Sequence, residues 1–359
     1  MKAILMLEDG KSFAGEGLGV EGERIGGVIL NTAVVGYQEM MTDPANAGKI
    51  LVLTYPLIGN YGTAPKFNES KNVWVGGLVI KEKTRIFSNW QALVSFDDFI
   101  KEHNLVSMSE VDTRTLAVHL RQKGEMLGII STKNFEAKEL LAKINDFKKK
   151  PAESLLPKIS VTKPLRLGKE KAKYKIAILD LGITNSTIRQ LETLGCSITL
   201  LPHNTPASEI LRLKPKGLII SNGPEEDVGL KEVVNNIKPL INRLPILGIS
   251  TGHQVLAQAL GAKITKLKLG HRGVNYPIHN PASYKGEITV QNHAFVVDTD
   301  SLNKIKSVKI TGYNLNDRTV EEIEGKKLKI IGIQYYAASP GFNEVNDVLK
   351  RFMKMLKKE

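Results

Sequence analysis

Cysteine is almost absent from this sequence, and Cys196 is the single example among 359 residues. One thiol cannot form a disulfide bond within the chain, and chains without disulfides are typical of a reducing compartment. The residues around Cys196 do not resemble a set of metal ligands, so we predict no metal site in this chain. These absences favour a cytoplasmic location.

Long apolar runs are also missing. No stretch of about 18 apolar residues occurs, so the sequence predicts no membrane-spanning helix and no membrane partner. The first ten residues, MKAILMLEDG, contain one lysine, a short apolar stretch and then two acidic residues. A signal peptide would need a longer apolar region and a cleavage site. We interpret the segment as a first strand that ends in a D-G turn.

Aromatic residues are scarce, at 6% of the chain, and they are not interleaved with the basic residues. The formal net charge is +13, and much of the lysine lies in short runs such as Lys148 to Lys150 and the terminal KMLKKE. A basic chain can bind nucleic acid. Without interleaved aromatics we interpret the runs as solvated faces and predict no nucleic-acid partner. An acidic protein partner fits the charge equally well.

A change of composition near residue 150 predicts two domains, as the chain length suggests. Residues 150–173 carry three prolines, many charges and weak periodicity. We therefore predict a first domain at 1–150, a linker at 151–173 and a second domain at 174–359. The first domain has many short β-like segments with glycine turns and then two helical segments, which indicates a mixed α+β fold.

The second domain alternates apolar strand-like segments with helical ones, from YKIAILDLG and TNSTIRQLETLG through to PILGIS. This rhythm is typical of an α/β domain with a doubly wound parallel sheet. Sites in such sheets form at the carboxyl ends of the strands. The segments SNGPEED and GISTGHQ follow two of these strands, so we expect Gly223, Glu225 and Ser250 in one cleft.

Gly248, Ser250 and Gly252 spell G-x-S-x-G, a pattern that can place a serine nucleophile on a strained turn between strand and helix. A serine hydroxyl needs an adjacent base to become a useful nucleophile. The candidate bases in this part of the chain are four histidines, namely His253, His271, His279 and His293. One hypothesis is therefore a serine hydrolase.

Longer motifs resemble a known family. The segments LEDG, NTAVVGYQEMMTDP, LTYPLIGNYG, GLVI and DTRTLAVHLRQKG are similar to the amino-terminal domain of the carbamoyl phosphate synthetase small subunit. The segments SNGP, LGISTGHQVLAQALGAK, KLKLGHRGVNYPI and QNHAF resemble its class I glutamine amidotransferase domain. The resemblance covers nearly the whole chain, in order, with no large insertion.

The resemblance implies a function and a partner. In that family the small subunit hydrolyses glutamine, and the ammonia passes through a tunnel to a large subunit, which makes carbamoyl phosphate from bicarbonate and ATP for arginine and pyrimidine synthesis. The expected partner is therefore that large subunit. No cofactor is expected in this chain, because ATP and a divalent metal would bind only to the large subunit.

The catalytic positions implied by the resemblance are altered. The family's elbow reads G-I-C-L-G, and its cysteine nucleophile corresponds to Ser250. The family's histidine and glutamate lie in a segment like F-Q-G-H-P-E-A-S-P-G, where this chain has IQYYAASPG, one residue shorter. Aligned from Gln334, those positions are Tyr336 and Ala338. Aligned from the SPG end, they are Tyr335 and Ala337.

The implied glutamine pocket is altered as well. Glu225 replaces a glycine that lets glutamine lie against the backbone, and it would add bulk and negative charge beside the substrate carboxylate. Thr251 replaces a leucine, Ala294 replaces a glycine, and Ala45 replaces a serine that reaches the glutamine from the first domain. The remaining pocket positions match the family: Gly223, Gln254, Asn292 and Phe295.

These departures favour a small-subunit homologue that no longer hydrolyses glutamine and supports an ammonia-using large subunit. Two alternatives stay open. One is a non-catalytic regulator outside that complex, and the other is a slow glutaminase or hydrolase that depends on Ser250. A single laboratory change of cysteine to serine does not explain the other altered positions.

Overall fold

The computed structural model describes four stretches of the chain: 1–168, 172–283, 286–341 and 344–357. Residues 169–171 of the predicted linker and residues 358–359 of the terminal lysine run lie outside the described residues. The chain divides into two compact units. The first comprises Met1–Ala152 and Lys268–Arg272, and the second comprises Glu153–Leu267 and Gly273–Glu359.

The first unit, all of whose residues are described, is built on a closed β-barrel with the strand order β1-β2-β8-β6-β4-β3-β9. Strands β5 and β7 form a separate small sheet. The strands are β1 (Lys2–Leu7), β2 (Ser12–Gly19), β3 (Glu23–Asn31), β4 (Ile50–Leu53), β5 (Leu57–Ile58), β6 (Gly77–Val79), β7 (Glu82–Lys83), β8 (Val106–Ser109) and β9 (Met126–Ser131). The helices are α1 (Tyr37–Thr42), α2 (Phe96–Glu102), α3 (Thr113–Lys123) and α4 (Ala137–Lys149).

Local sequence signals explain where α2 and α3 begin. The Ser95 hydroxyl accepts a hydrogen bond from the Asp98 backbone N–H at 3.0 Å, and the Asp112 carboxylate accepts one from Thr115 N–H at 2.9 Å. Each side chain satisfies a backbone donor that the first turn of a helix leaves free. The short β segments predicted a mixed α+β domain, and the structure adds that these strands close into a barrel.

The second unit has one ten-stranded sheet within the described residues, with the order β10-β12-β11-β13-β14-β19-β18-β17-β15-β16. Its strands are β10 (Leu165–Gly168), β11 (Tyr174–Asp180), β12 (Cys196–Pro202), β13 (Gly217–Ile220), β14 (Ile246–Ile249), β15 (Ile264–His279), β16 (Gly286–Val297), β17 (Lys309–Asn314), β18 (Val320–Gly325) and β19 (Ile330–Ile333). Its helices are α5 (Leu156–Ile159), α6 (Asn185–Thr193), α7 (Ala207–Arg212), α8 (Leu230–Ile237), α9 (Thr251–Ala259), α10 (Thr299–Asn303) and α11 (Asp347–Leu356).

The centre of this sheet is parallel and buried on both faces. Strands β12, β11, β13, β14 and β19 pair in parallel, while β10 joins antiparallel at one edge and β18, β17 and β15 extend the other side antiparallel. Along β13, Leu218 and Ile220 pack into one core with α8 and α9, and Ile219 packs into the opposite core with α6 and α11. Two buried faces explain the continuous apolar runs, and the arrangement confirms the predicted α/β class.

The segment predicted as a linker, 151–173, contains regular structure. Helix α5 and strand β10 lie within it, and the fully buried Leu156 packs in the core of the second unit. The Asp227 carboxylate holds this stretch by accepting hydrogen bonds from the Ser154 hydroxyl at 2.6 Å and from Leu156 N–H at 3.2 Å. Composition alone could not reveal this anchor, because Asp227 lies about 70 residues further along the chain.

The described residues also include three short 3₁₀ turns, at Pro44–Asn46, Pro65–Phe67 and Lys238–Leu240. Within the part of the chain that the structure describes, none of the helices has both the length and the apolar character that crossing a membrane would require.

Candidate functional site

Parallel pairing places the carboxyl ends of three neighbouring strands at one edge of the second unit's sheet. Strands β13, β14 and β19 are paired in register, with Ile220 opposite Gly248 and Ile249 opposite Ile333. The segments that follow them are 221–229, the turn at Ser250 and 334–338. This edge is where open α/β sheets form their sites, and it holds most of the residues predicted from the sequence.

Ser250 occupies the sharp turn between β14 and α9. Its backbone has φ 52° and ψ −112°, a sparsely populated conformation for a residue with a side chain. Its N–H donates a hydrogen bond to the Ile333 carbonyl at 2.7 Å, which ties the turn to the end of β19. The strained elbow predicted from G-x-S-x-G is therefore confirmed.

The two glycines of the elbow are required by backbone packing. A Cβ at Gly252 would collide with the carbonyl of Ile220, and a Cβ at Gly248 would collide with the backbone of Gly252. Only glycine permits strand and helix to approach this closely. The G-x-S-x-G pattern is therefore explained by the fold alone, whatever chemistry Ser250 performs.

The Ser250 side chain is isolated. The residue is 1% exposed, and among the described residues its hydroxyl has no hydrogen-bond partner. A serine becomes nucleophilic when an adjacent base takes its proton. The geometry around Ser250 therefore lacks the hydrogen bond that would identify a working serine nucleophile.

His253 is not placed to serve as that base. It is fully buried, and burial lowers the pKa of its imidazole to about 3, with a weak opposing effect from the Gly332 backbone. A Cβ at Gly332 would collide with the Nδ1 atom, so the ring lies against β19 on the packed side of α9. The imidazole is therefore neutral at physiological pH and fills the interior of the unit.

The other three candidate histidines have different surroundings. His293 is fully buried, and its ring nitrogens lie 3.1 Å from the Phe295 carbonyl and 3.1 Å from the Gln291 side-chain oxygen. His279 is half-buried on β15, and His271 belongs to the first unit. Across the described residues, none of these histidines is hydrogen-bonded to Ser250.

Residues 334–338 follow β19, and their tyrosines have separate partners. The buried Tyr335 hydroxyl donates to Glu322 Oε2 at 2.9 Å, and Arg351 donates to the other oxygen of Glu322 at 2.8 Å. Burial, followed by the charge of Glu322, raises the pKa of Tyr335 well above its ordinary value. Tyr335 is therefore an uncharged hydrogen-bond donor and not a base at neutral pH.

Tyr336 is half-buried, and its hydroxyl accepts a long hydrogen bond from the Asn292 side-chain amide at 3.3 Å. Its backbone N–H donates to the Val290 carbonyl at 2.9 Å. The alanines that follow offer only main-chain groups: the Ala337 carbonyl accepts from Gln190, and the Ala338 carbonyl accepts from Asn346. Neither alignment of this segment supplies an imidazole or a carboxylate.

Glu225 and Gln254 meet at the centre of the predicted pocket. Glu225 is 8% exposed; one of its carboxylate oxygens accepts a hydrogen bond from Gln254 Nε2 at 2.6 Å, and the other accepts one from Ala294 N–H at 2.7 Å. The Gln254 amide also donates to the Phe295 carbonyl at 3.0 Å. The structure thus brings two predicted pocket residues, Gln254 and Ala294, onto the carboxylate of a third, Glu225, and places the Phe295 carbonyl beside Gln254.

Gly223 and Thr251 form a second contact at this edge. The Thr251 hydroxyl donates to the Gly223 carbonyl at 2.6 Å. A Cβ at Gly223 would collide with the Leu181 carbonyl, so the loop after β13 can approach the end of β11 only with glycine at this position. The contact links the loop to the first residue of α9.

Ala45 belongs to the first unit, in the 3₁₀ turn at Pro44–Asn46. It is 2% exposed, and its N–H donates to the Asp43 carboxylate at 2.9 Å. Its assignment to the pocket stays a prediction.

Sequence reasoning missed Gln334 and the partners of Tyr335. The Gln334 side-chain oxygen lies 3.4 Å from Gln254 Nε2, and the Gln334 side chain is fully buried. The two residues lie in a bend after β19 and have different partners, since Gln334 contacts Gln254 and Tyr335 bonds to Glu322. Local sequence carried no signal for these contacts, because Gln254 lies on α9 and Glu322 on β18.

Comparisons with known proteins agree with this architecture. Residues 5–130 match the family model described as "Carbamoyl-phosphate synthase small chain, CPSase domain", and residues 177–352 match the model described as "Glutamine amidotransferase class-I". The second unit, with its α/β sheet and strand-to-helix elbow, is therefore a class I glutamine amidotransferase domain.

Full-length relatives extend the match to the whole chain. The carbamoyl phosphate synthase small chain of Syntrophotalea carbinolica is 37% identical over 372 aligned residues, which cover 100% of this chain and 98% of that protein. The protein of the same name from Chlorobaculum tepidum is 38% identical, with 99% and 98% covered. The chain belongs to the carbamoyl phosphate synthase small chain family.

Proposed function

We propose that this chain is a carbamoyl phosphate synthase small subunit that does not hydrolyse glutamine and that supports a large subunit using free ammonium. The observation that carries the proposal is the isolated Ser250 hydroxyl, which is buried and has no hydrogen-bond partner among the described residues. The family's reaction needs a nucleophile, a proton-transferring base and a group that orients the base.

Each of those three parts is weakened or missing. A serine hydroxyl ionises far less readily than a thiol, so it depends more strongly on a base. Tyr336 and Ala338 replace the histidine and the glutamate in one alignment, and Tyr335 and Ala337 replace them in the other. Catalytic groups act as a unit, so loss of the base alone would remove most of the rate, and restoring the thiol alone would not recover it.

The pocket supports the same conclusion. A glutamine molecule carries its own carboxylate, and the Glu225 carboxylate already accepts the hydrogen bonds of Gln254 and Ala294. Two carboxylates at one buried position repel each other, and each charge costs free energy to remove from water. Glu225 therefore disfavours glutamine binding by both its volume and its charge.

The proposed partner follows from the family. The relatives' name, small chain, implies a large chain, and the first unit retains the long segments NTAVVGYQEMMTDP and LTYPLIGNYG, which resemble the family's amino-terminal domain. A net charge of +13 would speed association with an acidic partner. With glutamine hydrolysis absent, ammonium from solution would supply nitrogen for carbamoyl phosphate in arginine and pyrimidine synthesis.

Co-purification from the source cell, followed by an assay with two nitrogen sources, tests the proposal. We expect the large subunit to co-elute with this chain, and the complex to form carbamoyl phosphate with ammonium and not with glutamine. Formation with glutamine at a comparable rate would contradict the proposal. Elution without the large subunit would instead favour a regulator outside the complex.

A further inference from the structure

The second unit has a cleft that is separate from the candidate site. The end of α10, the loop that follows it and β17 form its walls, and its volume is about 380 Å³. Pockets that hold small molecules have volumes of about 300–1,000 Å³. All of the lining residues fall within 302–313, so the cleft shares none of them with the site at Ser250. Its size therefore suits a small ligand that is unrelated to the glutamine pocket.

Aliphatic side chains form the floor of the cleft. Leu302 is 2% exposed and Val308 is 8% exposed, and both belong to the core that the sheet shares with α8 and α9. Ile305 and Ile310 pack against this core but are only half-buried, so part of each side chain stays open to water. An aliphatic group that covers this open surface removes it from water, which is favourable.

Two polar side chains of the cleft are available to a ligand. Lys306 is exposed in the loop between α10 and β17, and Tyr313 is half-buried on β17. In the part of the chain that the structure describes, the Lys306 ammonium group has no carboxylate partner and the Tyr313 hydroxyl has no hydrogen-bond partner. Both groups can donate hydrogen bonds, and the ammonium group adds positive charge. Such donors match an anionic acceptor better than a neutral one.

We propose that this cleft binds a medium-chain aliphatic carboxylate. The chain of the ligand covers Ile305 and Ile310. The carboxylate accepts hydrogen bonds from Lys306 and Tyr313. Lys309 also lines the cleft, but it lies opposite Glu324 in the ladder between β17 and β18, so we assign the principal ion pair to Lys306.

Calorimetric titration of the full-length chain with carboxylates of increasing length tests the proposal. Sodium octanoate, kept below the concentration at which it forms micelles, should bind, and acetate should give no measurable heat of binding. Between butanoate, hexanoate and octanoate, the affinity should rise by up to about fourfold for each added methylene group, because each buries further apolar surface. A purely electrostatic attraction to surface lysines would not depend on chain length.

A charge substitution tests the position of the carboxylate. We expect Lys306→Gln to weaken octanoate binding by about three- to fivefold, as for the loss of a partly exposed ion pair. Lys304→Gln is the matched control, because Lys304 is an exposed lysine two residues earlier that does not line the cleft. Its octanoate affinity should equal that of wild type.

A second substitution tests the position of the chain. Ile305→Asn places an amide in the floor, and the affinity for octanoate should fall to that for butanoate. Ile288→Asn is the control, since Ile288 is 63% exposed on β16 and lies outside the cleft. If Ile305→Asn does not fold, Ile305→Ala takes its place, with a smaller loss of affinity expected. Binding is measured in place of turnover, so the result is independent of whether the chain hydrolyses glutamine.

Three outcomes would overturn the proposal. One is that octanoate does not bind to the wild-type chain. Another is that acetate and octanoate bind equally, which would indicate a general attraction of anions to a basic protein. The third is that octanoate binds equally to wild type, Lys306→Gln and the Ile305 variant. That result would place the ligand elsewhere, for example on the loop of the first unit that contains Trp90, which is 89% exposed.

Discussion

The elbow at Ser250 and the segment 334–338 lie on neighbouring strands of one sheet, yet they are held by different interactions. The elbow is fixed by main-chain packing, because Gly248 and Gly252 leave no space for a side chain. The segment after β19 is held both by main-chain hydrogen bonds, such as that from Tyr336 N–H to the Val290 carbonyl, and by side chains, with Tyr335 bonded to Glu322. The glycines of the elbow are thus explained by backbone packing alone, whereas the contacts of the segment after β19 depend also on which side chains it carries.

The largest effect on stability should come from a fall in pH, because His253, three residues after Ser250, is buried as a neutral ring. Its folded-state pKa is about 3 and its ordinary value is 6.5, so the unfolded chain binds the proton first as the pH falls. Above pH 6.5 the ring is neutral in both states, and the free energy of unfolding has its full value. As the pH falls from 6.5 to about 3, the free energy of unfolding decreases by at most about 4–5 kcal/mol.

Urea unfolding of wild type and His253→Leu across this pH window isolates that contribution. The variant has no titrating group at this position, so its free energy of unfolding should fall less steeply with decreasing pH. Parallel pH profiles for the two proteins would show that His253 does not cause the loss of stability in acid.

Gly252→Ala should have the next largest effect. The added methyl group collides with the Ile220 carbonyl, and backbone cannot move aside as a flexible side chain can, so we expect a loss of about 3 kcal/mol or failure to fold. Gly286→Ala is the matched control, because there the nearest atom to a new Cβ is 3.6 Å away, an ordinary contact. Equal stability of the two variants would show that the elbow has room for a side chain.

Replacing either of the two tyrosines should cost less stability than Gly252→Ala, and the two losses should differ. Tyr335→Phe removes a buried hydroxyl from Glu322, and we expect a loss of about 1–2 kcal/mol. Tyr336→Phe removes a half-buried hydroxyl whose bond from Asn292 is long, at 3.3 Å, so we expect a smaller loss, below about 0.5 kcal/mol. Chemical denaturation of both variants compares them directly. A larger cost for Tyr336→Phe would reverse the roles assigned to the two side chains.

The sequence predicted main-chain features better than side-chain partners. The apolar runs, the glycines and the G-x-S-x-G pattern were sufficient for the α/β class and for the strained turn at Ser250, because these features arise from local constraints on the backbone. The sequence also indicated that Glu225 would alter the pocket. It could not reveal that Gln254 and Ala294 bind its carboxylate, since those partners are about 30 and 70 residues away along the chain.

The first unit and the segment 151–173 illustrate the same limit. Short β segments do not specify how a sheet closes, so the barrel was not predicted from residues 1–150. The proline-rich composition of 151–173 predicted a linker, while the structure contains α5 and β10 there. The start of α5 is held by Asp227, and β10 pairs with β12, and local composition encodes neither of these long-range partners.

Ser250→Cys should have a small effect on stability and none on activity. A thiol replaces a hydroxyl that has no hydrogen-bond partner in the described part of the chain, so no hydrogen bond is lost. The larger sulfur atom must still fit a buried position. We expect a stability change within about 1 kcal/mol and no gain of glutaminase activity, because the thiol would still lack a base. Unfolding curves and an assay for released glutamate measure the two quantities.

The release of glutamate from isotope-labelled glutamine tests the central claim most directly. Wild type, Ser250→Cys and Ser250→Ala would each be assayed alone and with the large subunit, and the Ser250→Ala protein reports any contaminating glutaminase. We expect all three to release glutamate at the rate of the protein-free control. Release by wild type that Ser250→Ala abolishes would contradict the claim and would establish Ser250 as a working nucleophile.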